Sequence, residues 1–148
     1  MVRILGFAIP GQHLYATALF YCDHLGISAA PIRFLLDTGS VRTIITENTA
    51  RRLGIDLTKL FSMKPDGHMS GIGGSTDAFR LSNIRLVFSG TDGSSVEENL
   101  QFVLVMKFPK PRDEEERKAL ELIPDLLGLD VMKRYSFSFE KNFMYLDK

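Results

Sequence analysis

The stretch Phe34-Leu35-Leu36-Asp37-Thr38-Gly39-Ser40 runs an apolar segment into a carboxylate and then breaks at a glycine. Read as structure, a buried strand delivers an acid to its own end, with a small hydroxyl residue and an unencumbered backbone behind it. Asp-x-Gly is also ordinary turn chemistry, because Asp bonds nearby backbone amides and glycine accepts positive φ. A strand-end turn is therefore the plain alternative. The chemical alternative needs a second acid. Carboxylates about 3 Å apart cannot both ionise, so they share a proton, one acting as base toward water and the other as acid toward a carbonyl. The triplet occurs once in 148 residues, and no internal repeat supplies another. One chain holds half of such a pair.

Two further segments bear on the choice. His68-Met69-Ser70-Gly71-Ile72-Gly73-Gly74-Ser75-Thr76 packs three glycines around one isoleucine, 35 positions beyond Asp37. This composition predicts a flexible hairpin tip with one apolar contact point, or else a glycine-rich surface loop. A phosphate-cradling loop fits poorly, since the spacing is not G-x-G-x-x-G and no Lys-Ser/Thr pair follows. Leu126-Leu127-Gly128-Leu129-Asp130-Val131-Met132 leads two apolar residues and a glycine into helical spacing at Leu129, Met132 and Lys133. Its plain alternative is a buried strand ended by a glycine.

Taken in order, the three segments resemble the retropepsin-like aspartic proteases. Asp37-Thr38-Gly39 resembles the catalytic Asp-Thr-Gly triplet, residues 71–74 the Gly-Ile-Gly-Gly flap tip of retroviral enzymes, and Leu126-Leu127-Gly128 the element that crosses behind the catalytic loop. The resemblance covers most of the chain, from about residue 14 to 146. It implies a homodimeric aspartic endopeptidase in which Asp37 from each subunit activates water. Thr38, Gly39 and Ser40 would support the loop, and Gly71, Ile72, Gly73 and Gly74 would close over an extended polypeptide. No metal and no cofactor are implied.

Three features depart from the retroviral pattern. Leu129 stands where those enzymes usually carry an arginine, so their inter-subunit ion-pair network is not expected. The Leu-Leu-Gly-Leu-Asp version looks instead like the retropepsin-like domains of cellular proteins, including ubiquitin-shuttle proteins. Ser40 replaces the frequent alanine, and a hydroxyl there is expected to bond the catalytic carboxylate and extend activity toward acid. Residues 107–124 carry three prolines around Asp113-Glu114-Glu115-Glu116-Arg117-Lys118, which predicts a short amphipathic helix inserted before residue 126, with a solvated loop as the alternative.

Composition is consistent with one domain over residues 1–148, large enough to bury a core. Eighteen basic residues balance eighteen acidic ones, so no electrostatic footprint points to nucleic acid or an anionic membrane. Cys22 is the single cysteine and forms no internal disulfide, which suits a reducing compartment. Cys22 and His24 lie close, but no second ligand pair follows at zinc spacing. The apolar residues 1–10 are too short for a cleaved signal peptide, and no run approaches the ~20 residues of a membrane span. The expectation is a soluble, cytoplasmic domain.

Strand signals dominate the rest: residues 2–9, 14–22, 31–36, then 100–106 after a polar loop at 90–99, and a closing hairpin of 136–140 with 143–146 around Lys141-Asn142. The flap arms are read at 60–63 and 79–88. Thr46 reads as the cap of a helix over 47–53. Phe137, Phe139, Phe143 and Tyr145 alternate like a half-buried ribbon. The fold class expected is all-β, a mostly antiparallel closed barrel with two or three short helices. A non-proteolytic dimerisation or peptide-binding module of the same fold remains the alternative function, and an enzyme active only when docked through residues 107–124 is a third.

Overall fold

The computed structural model describes residues 1–8, 13–71, 74–140 and 143–148. Ten strands form one sheet: β1 (Arg3–Ala8), β2 (Leu14–Cys22), β3 (Ile27–Leu36), β4 (Ile44–Thr46), β5 (Gly67–Gly71), β6 (Gly74–Ser89), β7 (Ser95–Met106), β8 (Asp125–Leu127), β9 (Ser136–Glu140) and β10 (Phe143–Asp147). Among the described residues there are four short α-helices, more than the two or three expected, α1 (Glu47–Arg52), α2 (Leu57–Phe61), α3 (Glu114–Glu121) and α4 (Leu129–Met132), besides a 3-10 turn at Asp23–Leu25. The strand order is β5-β6-β7-β4-β8-β3-β2-β1-β10-β9, and β6 also pairs with β2. That extra pairing closes β6, β7, β4, β8, β3 and β2 into a barrel. Only β3–β8 and β4–β7 run parallel among the described pairings. The chain is therefore the mostly antiparallel barrel that its strand signals predict.

Phe20, Phe34, Ile45, Leu86, Phe88, Val103 and Leu127 fill the interior, each with almost no exposed surface. In β6, Ile84, Leu86 and Phe88 point inward at the expected period of two, but so do Phe79 and Leu81 at the opposite parity. Asn83, at φ 59°, lies where the strand changes face, a conformation asparagine tolerates better than most residues. The α1 cap forms as read, with the Thr46 hydroxyl accepting the Thr49 amide at 3.3 Å.

Several boundaries differ from the sequence reading. Residues 60–63 are not a strand: Leu60 and Phe61 form the last residues of α2, whose cap is the Asp56 carboxylate accepting the Lys59 amide at 3.1 Å. The strand that pairs with β6 in the glycine-rich hairpin is β5, nearer the glycines. The polar residues 95–99 belong to β7 rather than to a loop, because their one inward acid, Glu98, is neutralised inside. β3 begins at Ile27, earlier than expected, because Gly26 at φ 69° turns the chain at once and Ile27 pairs with Cys22. In the closing hairpin the four aromatics do not share a face. Phe137 and Phe139 oppose Leu146 and Met144, whereas Tyr145 opposes Leu5 across the other neighbour. Met144 and Leu146 are the buried residues there, and Phe137, Phe139 and Phe143 are exposed. The hairpin residues Lys141 and Asn142, and Ile9 and Pro10 after β1, lie outside the described residues.

Candidate active site

β8 lies between β3 and β4, parallel to one and antiparallel to the other. The chain thus leaves β3, arches over the end of β8 in residues 37–43, and returns beside it as β4. Asp37 begins the arch. Its amide donates to the Leu127 carbonyl at 3.1 Å, one rung past the β3–β8 ladder, so the rigid sheet fixes where the acid emerges. The Ser40 amide donates to the Asp37 carbonyl at 3.1 Å, and the Gly39 amide donates to Asp37 Oδ1 at 2.9 Å. A Cβ at Gly39 would stand 3.1 Å from that oxygen, so glycine keeps the carboxylate clear. Asp37 is half-buried, while Thr38 and Gly39 are exposed.

The segment after β8 holds the arch from beneath. The amides of Leu129 and Asp130 donate to the Ser40 and Val41 carbonyls at 2.8 and 3.1 Å. The buried Asp130 carboxylate accepts the Thr43 amide at 3.0 Å and the Thr43 hydroxyl at 2.7 Å. The Thr43 oxygen in turn accepts the Gly128 amide at 3.2 Å. The arch passes so close that a Cβ on Gly128 would lie 2.4 Å from the Arg42 carbonyl carbon and oxygen. A second buried carboxylate, Asp125, accepts the Thr46 amide at 2.8 Å and the Thr49 hydroxyl at 2.7 Å, tying β8 to the start of α1. Burial pushes the Asp125 carboxyl above its ordinary pKa, with the Thr46 and Thr49 bonds pulling the other way.

Of the residues singled out in sequence, Asp37, Thr38, Gly39 and Ser40 lie together on the arch. The Ser40 hydroxyl, however, donates to the Arg42 carbonyl at 2.7 Å. The expected bond to the acid is therefore corrected: a carbonyl two residues away captures the hydroxyl within the turn. Bonded there, the Ser40 hydroxyl gives no reason to expect activity extended toward acid. Gly71 and Gly74 face each other as the last pair of the β5–β6 ladder, and Ile72 and Gly73 between them lie outside the described residues. His68 and Asp77 pair across the same hairpin at 2.7 Å. Residues 107–124 contain the expected helix, α3, capped by Asp113, whose carboxylate accepts the Glu116 amide at 2.8 Å. Its leading segment is tied to the hairpin base, the Lys107 amide donating to the Asp77 carbonyl at 3.0 Å and the Thr76 hydroxyl to the Lys107 carbonyl.

Sequence reasoning missed Thr43, Asp125 and the latch role of Asp130. Asp130 stood in the quoted Leu-Leu-Gly-Leu-Asp run, but its partner is 87 positions away. Among the described residues no group of three His, Cys, Asp or Glu side chains is arranged to hold a metal ion. Cys22 is fully buried, its sulfur 3.5 Å from His24 Nδ1, and burial pushes its thiol pKa up.

A family model described as "Aspartyl protease" matches residues 25–130, a span that includes the arch, the hairpin and the latch. The chain belongs to the aspartyl protease family. No curated protein sequence gives a significant match. Among solved structures it is similar to a retropepsin-like aspartic protease from Rickettsia conorii, at 21% identity and TM-score 0.60 over 99% of each chain. It is also similar to EIAV protease complexed with the inhibitor HBY-793, at 16% identity and TM-score 0.47 over 86% of this chain and 92% of that one. The retroviral protease-like domain of Ddi1 from Leishmania major follows at 14% and 0.48, covering 92% and 93%. The first of these shows that the fold of this family member is retropepsin-like.

Proposed function

We propose that the protein is a homodimeric aspartic endopeptidase in which the Asp37 carboxylates of two copies face each other and activate a water molecule between them. The observation that carries this reading is the arch. It presents one acid, half open to solvent, on a backbone held by the sheet on one side and by the Leu129 and Asp130 amides on the other. Such rigidity is what proximity catalysis requires, because a reacting pair gains its rate advantage only when its geometry is fixed in advance. The two acids share one proton, so one oxygen takes a proton from water while the other acid protonates the carbonyl oxygen of the scissile bond. The β5–β6 hairpin, with its glycine pair, would bond the backbone of an extended peptide as an added strand does. The single buried thiol is in keeping with a reducing, cytoplasmic setting. No described helix is long and apolar enough to cross a membrane.

The test is Asp37→Asn. The amide keeps the shape and the acceptor for the Gly39 amide but cannot cycle a proton. Peptide cleavage is expected to disappear, while sedimentation and thermal unfolding stay as in the wild type. Turnover near the wild-type rate would remove Asp37 as the catalyst. A wild-type dimer that binds peptides and cleaves none would instead be the peptide-binding module.

A further inference from the structure

Arg42 sits on the same arch as Asp37, five residues beyond it, and its side chain is exposed. Its guanidinium carbon lies 4.8 Å from the centre of the Phe102 ring. Arg80 crowds the same ring at 4.0 Å, and Phe102, paired across the sheet with exposed Ser82 and outside the main core cluster, is left only 9% exposed. Arg80 is matched by Asp66, Nε to Oδ1 at 2.6 Å. Arg42 forms no ion pair with any described carboxylate. The cluster of Arg42, Arg80 and Asp66 thus carries one unmatched positive charge. It also spans two parts of the proposed machinery: Arg42 comes from the acid arch, Arg80 from β6 of the hairpin, and Asp66 directly precedes β5.

We infer that Arg42 is a specificity-determining residue that receives an acidic side chain of the substrate close to the scissile bond. This rests on the peptidase reading above. The backbone on either side of Arg42 is already fixed, its own carbonyl by the Ser40 hydroxyl and Thr43 by Asp130, and its guanidinium carbon rests over the Phe102 ring. A guanidinium offers a fork that fits a carboxylate in two-point contact, and one resting on a ring has less side-chain freedom to lose on binding. Arg80 does not compete for the anion, because Asp66 occupies it, and the unmatched charge is that of Arg42. An extended peptide lying between arch and hairpin would run its side chains past this corner.

The experiment digests a library of ten-residue peptides with the wild-type protein and with Arg42→Gln and Arg42→Glu, reading cleavage sites by mass spectrometry. Cleaved sequences are then resynthesised with Glu or Gln at each position within four residues of the bond. The wild type is expected to favour Glu over Gln at one such position by roughly tenfold in kcat/KM, the scale of one well-made charge-assisted contact. That ratio should fall to near one in Arg42→Gln, whose stem still covers Phe102, and invert in Arg42→Glu. A wild-type ratio near one at every position, or a ratio unchanged in both variants, overturns the assignment while leaving the peptidase reading intact. If the wild type cleaves nothing, the peptidase reading fails by itself. The uncleaved ten-residue library is then passed over immobilised Asp37→Asn protein, and retained peptides are resynthesised with Glu or Gln at each position: Glu-over-Gln retention that vanishes on adding Arg42→Gln supports the site, and equal retention rejects it.

Discussion

A side chain at Gly128 would collide with the carbonyl group of Arg42, which is backbone and cannot step aside. Gly128→Ala is therefore expected to cost more than about 3 kcal/mol or to prevent folding, as read by urea denaturation. The Asp130 carboxylate next to it is buried and satisfies two donors of Thr43. Asp130→Ala strands both, and a loss of about 2–4 kcal/mol is expected in the same measurement. Asp130→Asn keeps an acceptor for the Thr43 amide and should lose less. If Asp130→Ala unfolds at the wild-type urea concentration, the latch does not hold the arch. At this scale the sequence was legible where neighbours in the chain are neighbours in space. Asp37, Thr38 and Gly39 announce themselves because one turn contains them. The latch joins residues 85 and 87 positions apart, and nothing local to Thr43 distinguishes it from any other strand-end threonine.

Among the elements, α1 and α3 were legible from local chemistry, whereas α2 and the first half of β7 were not. The charged run after Asp113 carries its own cap, acids in the first turn and bases later, so α3 could be placed from sequence alone. Asp113→Ala should remove about 1 kcal/mol from that helix, seen as faster hydrogen exchange of the α3 amides with little change in global unfolding. Protection that stays at the wild-type level would mean that contacts to the barrel, rather than the cap, hold α3. The short α2 was mistaken for strand although Asp56 capped it, because Leu60 to Met63 read as an apolar segment beside the glycine-rich tip. The first half of β7 looked like loop because Glu98 interrupts its apolar alternation. Only the structure shows that this acid points inward, accepting the Tyr135 hydroxyl at 2.7 Å and pairing with Arg134 at 2.5 Å and Lys148 at 2.6 Å.

Over the whole molecule, Glu98 draws together β7, the segment after α4, and Lys148, whose backbone also exchanges two hydrogen bonds with Val2. Burial pushes the Glu98 carboxyl pKa up, but the bonds from Lys148, Tyr135 and Arg134 outweigh it and hold it below the ordinary 4.5. A carboxyl group with a lower pKa folded than unfolded stabilises fully above the unfolded value, and that stability is lost as pH falls through the folded one. The wild type should therefore lose urea resistance as pH drops below about 4.5, and Glu98→Gln should lose less. Asp125, raised by burial, acts in the opposite sense and is common to both proteins. At neutral pH Glu98→Gln is expected to cost about 2 kcal/mol, modest for a buried acid because both cations reach solvent. Equal acid sensitivity in the two proteins would mean that Glu98 contributes no such linkage.

The central claim is that two chains each supply one Asp37. It is tested most directly by mixing wild-type protein with Asp37→Asn at concentrations where both are dimeric and the subunits exchange. With random pairing at equal amounts, only about a quarter of the dimers carry two acids. Peptidase activity per wild-type chain should then fall to roughly half, and toward zero as Asp37→Asn is added in excess. Activity that stays proportional to the amount of wild-type chain, whatever the excess of Asp37→Asn, would contradict the shared dyad.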